Sequence, residues 1–237
     1  MSEIIDQQGS YTKEISREFF KNVYSYMFGA LAISGILAYY CGNTEFYNTY
    51  FVSPNGGASI LFWIVLLAPL GLSFLIQGGL QKFSFGTLLI LFILFSALMG
   101  MSLSVILLSY STSTLASTFF ITSGAFASMA ILGYTTKTDL SKMGSMLYMA
   151  LFGLIIASIV QIFIGGGALN FIIGILGVFI FTGLTAYHMQ SLKEIAQDTN
   201  MDTITRQKLA LMGGLQLYLL FVNLFLSLLR LVGGNRD

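Results

Sequence analysis

The sequence predicts an all-α membrane protein, a seven-transmembrane-helix bundle with its N-terminus in the cytosol and its C-terminus outside. Three observations carry this prediction. Of the 237 residues 56% are hydrophobic and 9% charged, with a mean hydropathy of +0.82, whereas a soluble domain carries about 25% charged residues. The apolar residues gather into seven runs of roughly the 20 residues that cross a bilayer. Nine of the eleven Lys and Arg fall on one side of the membrane if the chain starts inside, as the positive-inside rule expects.

The first 20 residues include SEIIDQQGSYTKEISRE. This stretch is polar and lacks the apolar core of a signal peptide, so it reads as a cytosolic tail. No lipidation motif is visible at either end. Residues 21–233 read as one transmembrane domain. Its spans are 21–41, 58–79, 84–109, 112–133, 144–165, 168–189 and 209–232. They are too long and too evenly apolar for alternating barrel strands, so helices are expected.

Pro69, in LLAPLG, should kink span two, because proline lacks an N–H and clashes one turn back. Spans three to five carry small residues at four-residue steps, which let helices approach closely. These are Ser96, Gly100 and Ser104, then Gly124 and Ser128, then Gly153 and Ala157 followed by Gln161. The glycine-rich GGGALNFIIGILG opens no strand–turn–helix unit and is no nucleotide loop. Most of the 21 Phe and 12 Tyr are expected to face lipid or its interface. No internal repeat is visible, which weighs against an inverted-repeat transporter.

The inner side receives Lys13, Arg17, Lys21, Lys82, Lys137, Lys142, Lys193, Arg206 and Lys208, and the outer side keeps Arg230 and Arg236. Two cytosolic connections are long, GYTTKTDLSKMGS and QSLKEIAQDTNMDTITRQK. The second is expected to extend span six as an amphipathic helix through Gln197.

Composition also excludes functions. A net charge of +1 argues against a nucleic-acid surface. A single cysteine, Cys41, allows neither an intramolecular disulfide nor a CxxC pair. One histidine rules out HExxH, span seven has no lysine for a retinal Schiff base, and TSGA at 122–125 is not the GxSx of an intramembrane serine protease. No enzyme and no cofactor are expected. All ten carboxylates lie in tails or loops, and a hard cation such as calcium wants several oxygen ligands, usually including carboxylates. No metal site is therefore expected within the spans.

Spans six and seven each carry a polar stripe on one helical face. The first is Asn170, Gly174, Gly177, Phe181, Thr185 and His188; the second is Gly213, Gln216, Leu220, Asn223, Ser227 and Arg230. Polar groups are costly in hydrocarbon, so facing stripes mean interhelical glue or a water-filled path. Both readings stay open here.

The segment GYTTKTDLSKMGSMLYMALFGLIIASIVQIF, the ending LQLYLLFVNLFLSLLRLVG and, in support, ILFSALMGMSLSVILLSY resemble the Bax inhibitor family (the transmembrane Bax inhibitor motif proteins), from span one to Gly233. The resemblance implies a seven-helix bundle and calcium leak across a membrane. It also implies cell-death or stress suppression in eukaryotes and modulation of a membrane AAA protease in bacteria. In that family span six typically ends like AYDTQ and span seven reads like LYLDFINLF, and the two aspartates form a proton-sensitive gate. Here the matching residues read AYHMQ and LYLLFVNLF, so His188 and Leu220 stand where the aspartates would. Tyr187, Gln190, Tyr218, Asn223 and Arg230 keep the pattern.

His188, Leu220, Asn223, Gln216, Tyr187 and Gln190 are therefore the proton-sensing or gating candidates, with Lys82 in LQKFS either at the cytosolic mouth or a plain positive-inside anchor. His188 reads as an interfacial histidine, as a surviving proton sensor, or as an ion contact. Two functions compete. One is an ion leak, with calcium or another cation passing and acid-gated calcium flow put in doubt. The other is a non-conducting modulator that binds a partner such as a membrane protease. A bacterial inner membrane is the expected location and the lipid bilayer the expected surroundings.

Overall fold

The computed structural model describes residues 2–53 and 57–233; Arg236 and Asp237 lie outside the described residues. Among the described residues the regular structure is helical: α1 (Ser2–Cys41), a short α2 (Thr44–Phe46) running into a π-helical turn (Tyr47–Phe51), α3 (Ile60–Gly79), α4 (Phe85–Ser109), α5 (Thr112–Thr135), α6 (Ser141–Ile164), α7 (Gly167–Gln197) and α8 (Thr203–Gly233). All except α2 are long and apolar enough to cross a membrane, so the protein is an all-α, multi-pass membrane protein. The seven expected spans fall on these seven helices, spans six and seven being α7 and α8.

Helix ends overshoot the apolar runs where a cap lies beyond them. α6 begins at Ser141, before the run, with Leu140 as its N-cap and Asp139 Oδ1 one residue further out accepting from Ser141 N at 2.8 Å. Asp202 Oδ2 accepts from Thr205 N at 3.0 Å, which starts α8 at Thr203 and not at 209. Side-chain oxygens here satisfy amides that lack an intrahelical partner. α7 runs on to Gln197 as expected. The polar residues before span one are helical as well, since α1 begins at Ser2. Between α6 and α7 the turn rests on Gly165 (φ 70°) and Gly166 (φ 98°), values that side chains other than glycine's rarely adopt.

The chain divides into two compact units. One comprises the residues up to Ser16, Thr112–Thr199 and those from Gln216 on; the other comprises Arg17–Ser111 and Asn200–Leu215. In the second unit the small residues of α4 form a contact. Ser96 and Ser104 are buried, and a Cβ on Gly100 would come within 2.7 Å of Ser34 Cα on α1. Pro69 lies inside α3 and leaves the carbonyl of Val65 without its donor four residues on. Ser102 of α4 supplies one, its hydroxyl donating to Val65 O at 2.7 Å. A freed backbone group in a span is tolerated where a neighbouring hydroxyl satisfies it.

In the first unit two small-residue expectations fail. Gly124, Ser128 and Gly153 are exposed, and a Cβ on either glycine would meet nothing within 4 Å. α5 instead buries Thr118, Thr122, Phe126, Ala130 and Gly133, with Gly133 pressed on the Ala186 backbone of α7. The close contact thus falls on a different small-residue face, that of Ala130 and Gly133, which the spacing of small residues alone does not reveal.

Candidate functional site

The site is built from α6, α7 and the part of α8 from Gln216 on, all within the first unit. The stripes of α7 and α8 meet. A Cβ on Gly174 would reach Leu231 at 2.8 Å, and one on Gly177 would collide with the hydroxyl of Ser227. Further along, Gln216 makes a side-chain contact with His188. Residue 177 against 227 and 188 against 216 is an antiparallel register, which puts Leu220 and Asn223 on the seam between them.

His188 is buried, 9% exposed. Its Nε2 shares a 2.7 Å hydrogen bond with the hydroxyl of Tyr148 on α6. The imidazole also packs edge-on against Tyr187, centroids 5.3 Å apart, and Tyr148, 6.0 Å apart. With the proton on Nδ1 the ring accepts from the phenol; with the proton on Nε2 it donates. Either way the ring is held by phenol and amide groups. Tyr187 itself fills the space beside Gly144 of α6, where a Cβ would come within 2.6 Å of its ring.

The other candidates serve different ends. Leu220 is a buried apolar side chain. Asn223 Nδ2 donates to Leu219 O on its own helix at 2.8 Å, and Ser227 Oγ donates to Asn223 O at 2.8 Å. Gln190 points away from the seam and fastens the α5–α6 connection: Oε1 accepts from Leu140 N and Nε2 donates to Thr138 O, both at 2.8 Å. Lys193 joins it, donating to Tyr134 O at 2.8 Å near the C-terminus of α5, where cations are favoured. Lys82 is exposed in the α3–α4 turn of the other unit, where the lysine bonded to the end of α3 is Lys208, to Leu80 O at 3.1 Å.

Tyr148 is the residue that sequence reading missed. Its only sequence signal is a phenol inside the apolar run MLYMALFG, which by itself means interfacial bulk. The connections hold the carboxylates whose acidity is shifted. The hydroxyl and backbone N–H of Ser141 lower Asp139 below the ordinary carboxylate range, and the same groups of Thr205 lower Asp202.

Comparison with known proteins agrees with these motifs. The family model described as "Inhibitor of apoptosis-promoting Bax1" matches residues 16–237. A protein of Borreliella burgdorferi is 42% identical over 223 residues, 94% of this chain and 94% of the relative. "Inner membrane protein YbhL" of Escherichia coli is 38% identical over 225 residues, 92% of each chain. A Rickettsia prowazekii protein is 38% identical over 222 residues, 93% of this chain and 91% of the relative.

Proposed function

This chain belongs to the Bax inhibitor family, and we propose that within it the protein is an ion-leak-type membrane protein whose acid-opened calcium route is disabled. One observation carries this reading. Where the resemblance expects two carboxylates, His188 is tied to Tyr148 and Gln216 and Leu220 is buried and apolar. Two close carboxylates share a proton, which raises one pKa towards neutrality. An imidazole has the opposite sign: acid adds positive charge, which repels calcium. The shifted loop carboxylates offer no substitute, because both move down and away from neutral pH. A bacterial inner membrane is the proposed location, supported by the printed name of the E. coli relative. The Lys and Arg distribution supports an N-in, C-out topology, and we assign no catalytic role.

Calcium flux into proteoliposomes, followed from about pH 8 to pH 6, where a carboxylate pair would take up its shared proton, tests the proposal. Acidification is expected to open no calcium flux, and an acid-opened flux contradicts the reading. The second reading, a non-conducting modulator of a partner such as a membrane protease, draws on the direct Gly177–Ser227 contact, which favours glue over a wet path. On that reading no ion passes at any pH, and removing residues 1–17 abolishes the effect on the protease.

A further inference from the structure

The connection between α1 and α3 is an amphipathic structure. Its sequence from Thr44 alternates in pairs: Thr44 and Glu45, Phe46 and Tyr47, Asn48 and Thr49, Tyr50 and Phe51. On a helical turn the aromatic pairs share one face and the polar pairs the other. All four polar residues are exposed. On the aromatic face Phe51 is buried against Phe62 of α3 (centroids 6.0 Å apart), with Phe46 and Tyr47 packed around it at 5.8 and 5.9 Å. Phe62 in turn meets Trp63 at 5.7 Å. Tyr50, 4.7 Å from Phe46, is left 51% exposed.

The backbone here satisfies many of its own polar groups. Asn43 donates to Tyr40 O at the end of α1 and accepts from Phe46 N. Ser59 N donates to Phe51 O at 2.9 Å, and Ser53 N to Gly57 O at 2.7 Å. Ser59 Oγ donates to Tyr50 O at 2.7 Å. Such closure matters most where water is scarce.

We propose that this segment lies in the headgroup region of the bilayer, with Tyr50 and the edges of Phe46 and Tyr47 in contact with lipid and Thr44, Glu45, Asn48 and Thr49 facing water. The occupant of its aromatic face is the phospholipid interface. The adjoining spans are exposed at the ends the connection joins, through Tyr39 and Tyr40 at the end of α1 and Ile60 and Trp63 at the start of α3. Both ends of the connection are fixed at the ends of spans, and rings with polar tips are favoured at that depth. Residues 42–59 contain one acid and no base, so the attraction is apolar and needs no anionic lipid.

Trp63 is the single tryptophan, so fluorescence can address the segment. In a Trp63→Phe background, Tyr50→Trp and Asn48→Trp are compared in phosphatidylcholine nanodiscs. Tyr50→Trp should lose most of its emission to lipids brominated near the headgroup and resist aqueous iodide, and Asn48→Trp should do the reverse. If iodide quenches both and brominated lipid neither, the segment stands in water, free for a soluble partner, and the proposal is overturned. Radical footprinting of the unaltered protein in the same discs is independent of these substitutions. Tyr50 should remain unlabelled there, and labelling equal to that of a free tyrosine overturns the proposal.

Discussion

His188 draws its environment from a residue 40 positions earlier. Tyr148 Oη is its hydrogen-bond partner at 2.7 Å, so Tyr148→Phe leaves a buried ring nitrogen without it. We expect a loss of about 1 kcal/mol, between the roughly 0.6 typical of interhelical bonds in membranes and the 1–3 of an unsatisfied buried group. Thermal unfolding in detergent measures it, and the same change in a His188→Phe background should cost nothing further. Asp139 is expected to be silent in gating. Its lowered pKa means that its stabilising contribution is complete above the usual carboxylate pKa and is lost only as pH falls through the lowered value. Asp139→Asn should therefore leave any pH profile between about pH 6 and 8 unchanged. The histidine and its altered motif were legible because AYHMQ and LYLLFVNLF carry them locally. Tyr148 was not, because its role depends on the packing of α6 against α7, which no local pattern encodes. Gln190 was legible as a pattern residue but not as the clamp on the α5–α6 connection, for the same reason.

At the level of elements, small residues matter only where a neighbour presses on them. Gly177→Ala forces a methyl into the Ser227 hydroxyl and should cost about 1–3 kcal/mol, with part recovered by adding Ser227→Ala. Gly124→Ala, with nothing within 4 Å, should stay within about 0.5 kcal/mol of the parent. Both glycines belong to similar small-residue patterns in the sequence, and the difference lies in which helix face is covered. The Pro69–Ser102 pairing predicts its own cycle. Ser102→Ala should destabilise by about 1 kcal/mol, whereas in a Pro69→Ala background the restored N–H can bond Val65 O and the loss should shrink. Urea or SDS unfolding of the four proteins gives the coupling.

At the scale of the whole molecule, hydropathy alone located seven spans, since about 20 apolar residues cannot be housed otherwise. It missed the helical start at Ser2 and the early starts of α6 and α8, because caps and polar helix turns carry no hydropathy signal. The charge distribution predicts that a tag on the C-terminus is labelled from the outer side in intact cells, and cytosolic labelling would overturn the proposed orientation. The central claim is that the scaffold lacks its acid switch because His188 and Leu220 replace two carboxylates. It is tested most directly by calcium flux in proteoliposomes, comparing the unaltered protein with the double variant His188→Asp, Leu220→Asp as pH is lowered. The account predicts no acid-opened flux in the former and such flux in the latter; acid-opened flux in the unaltered protein would contradict it.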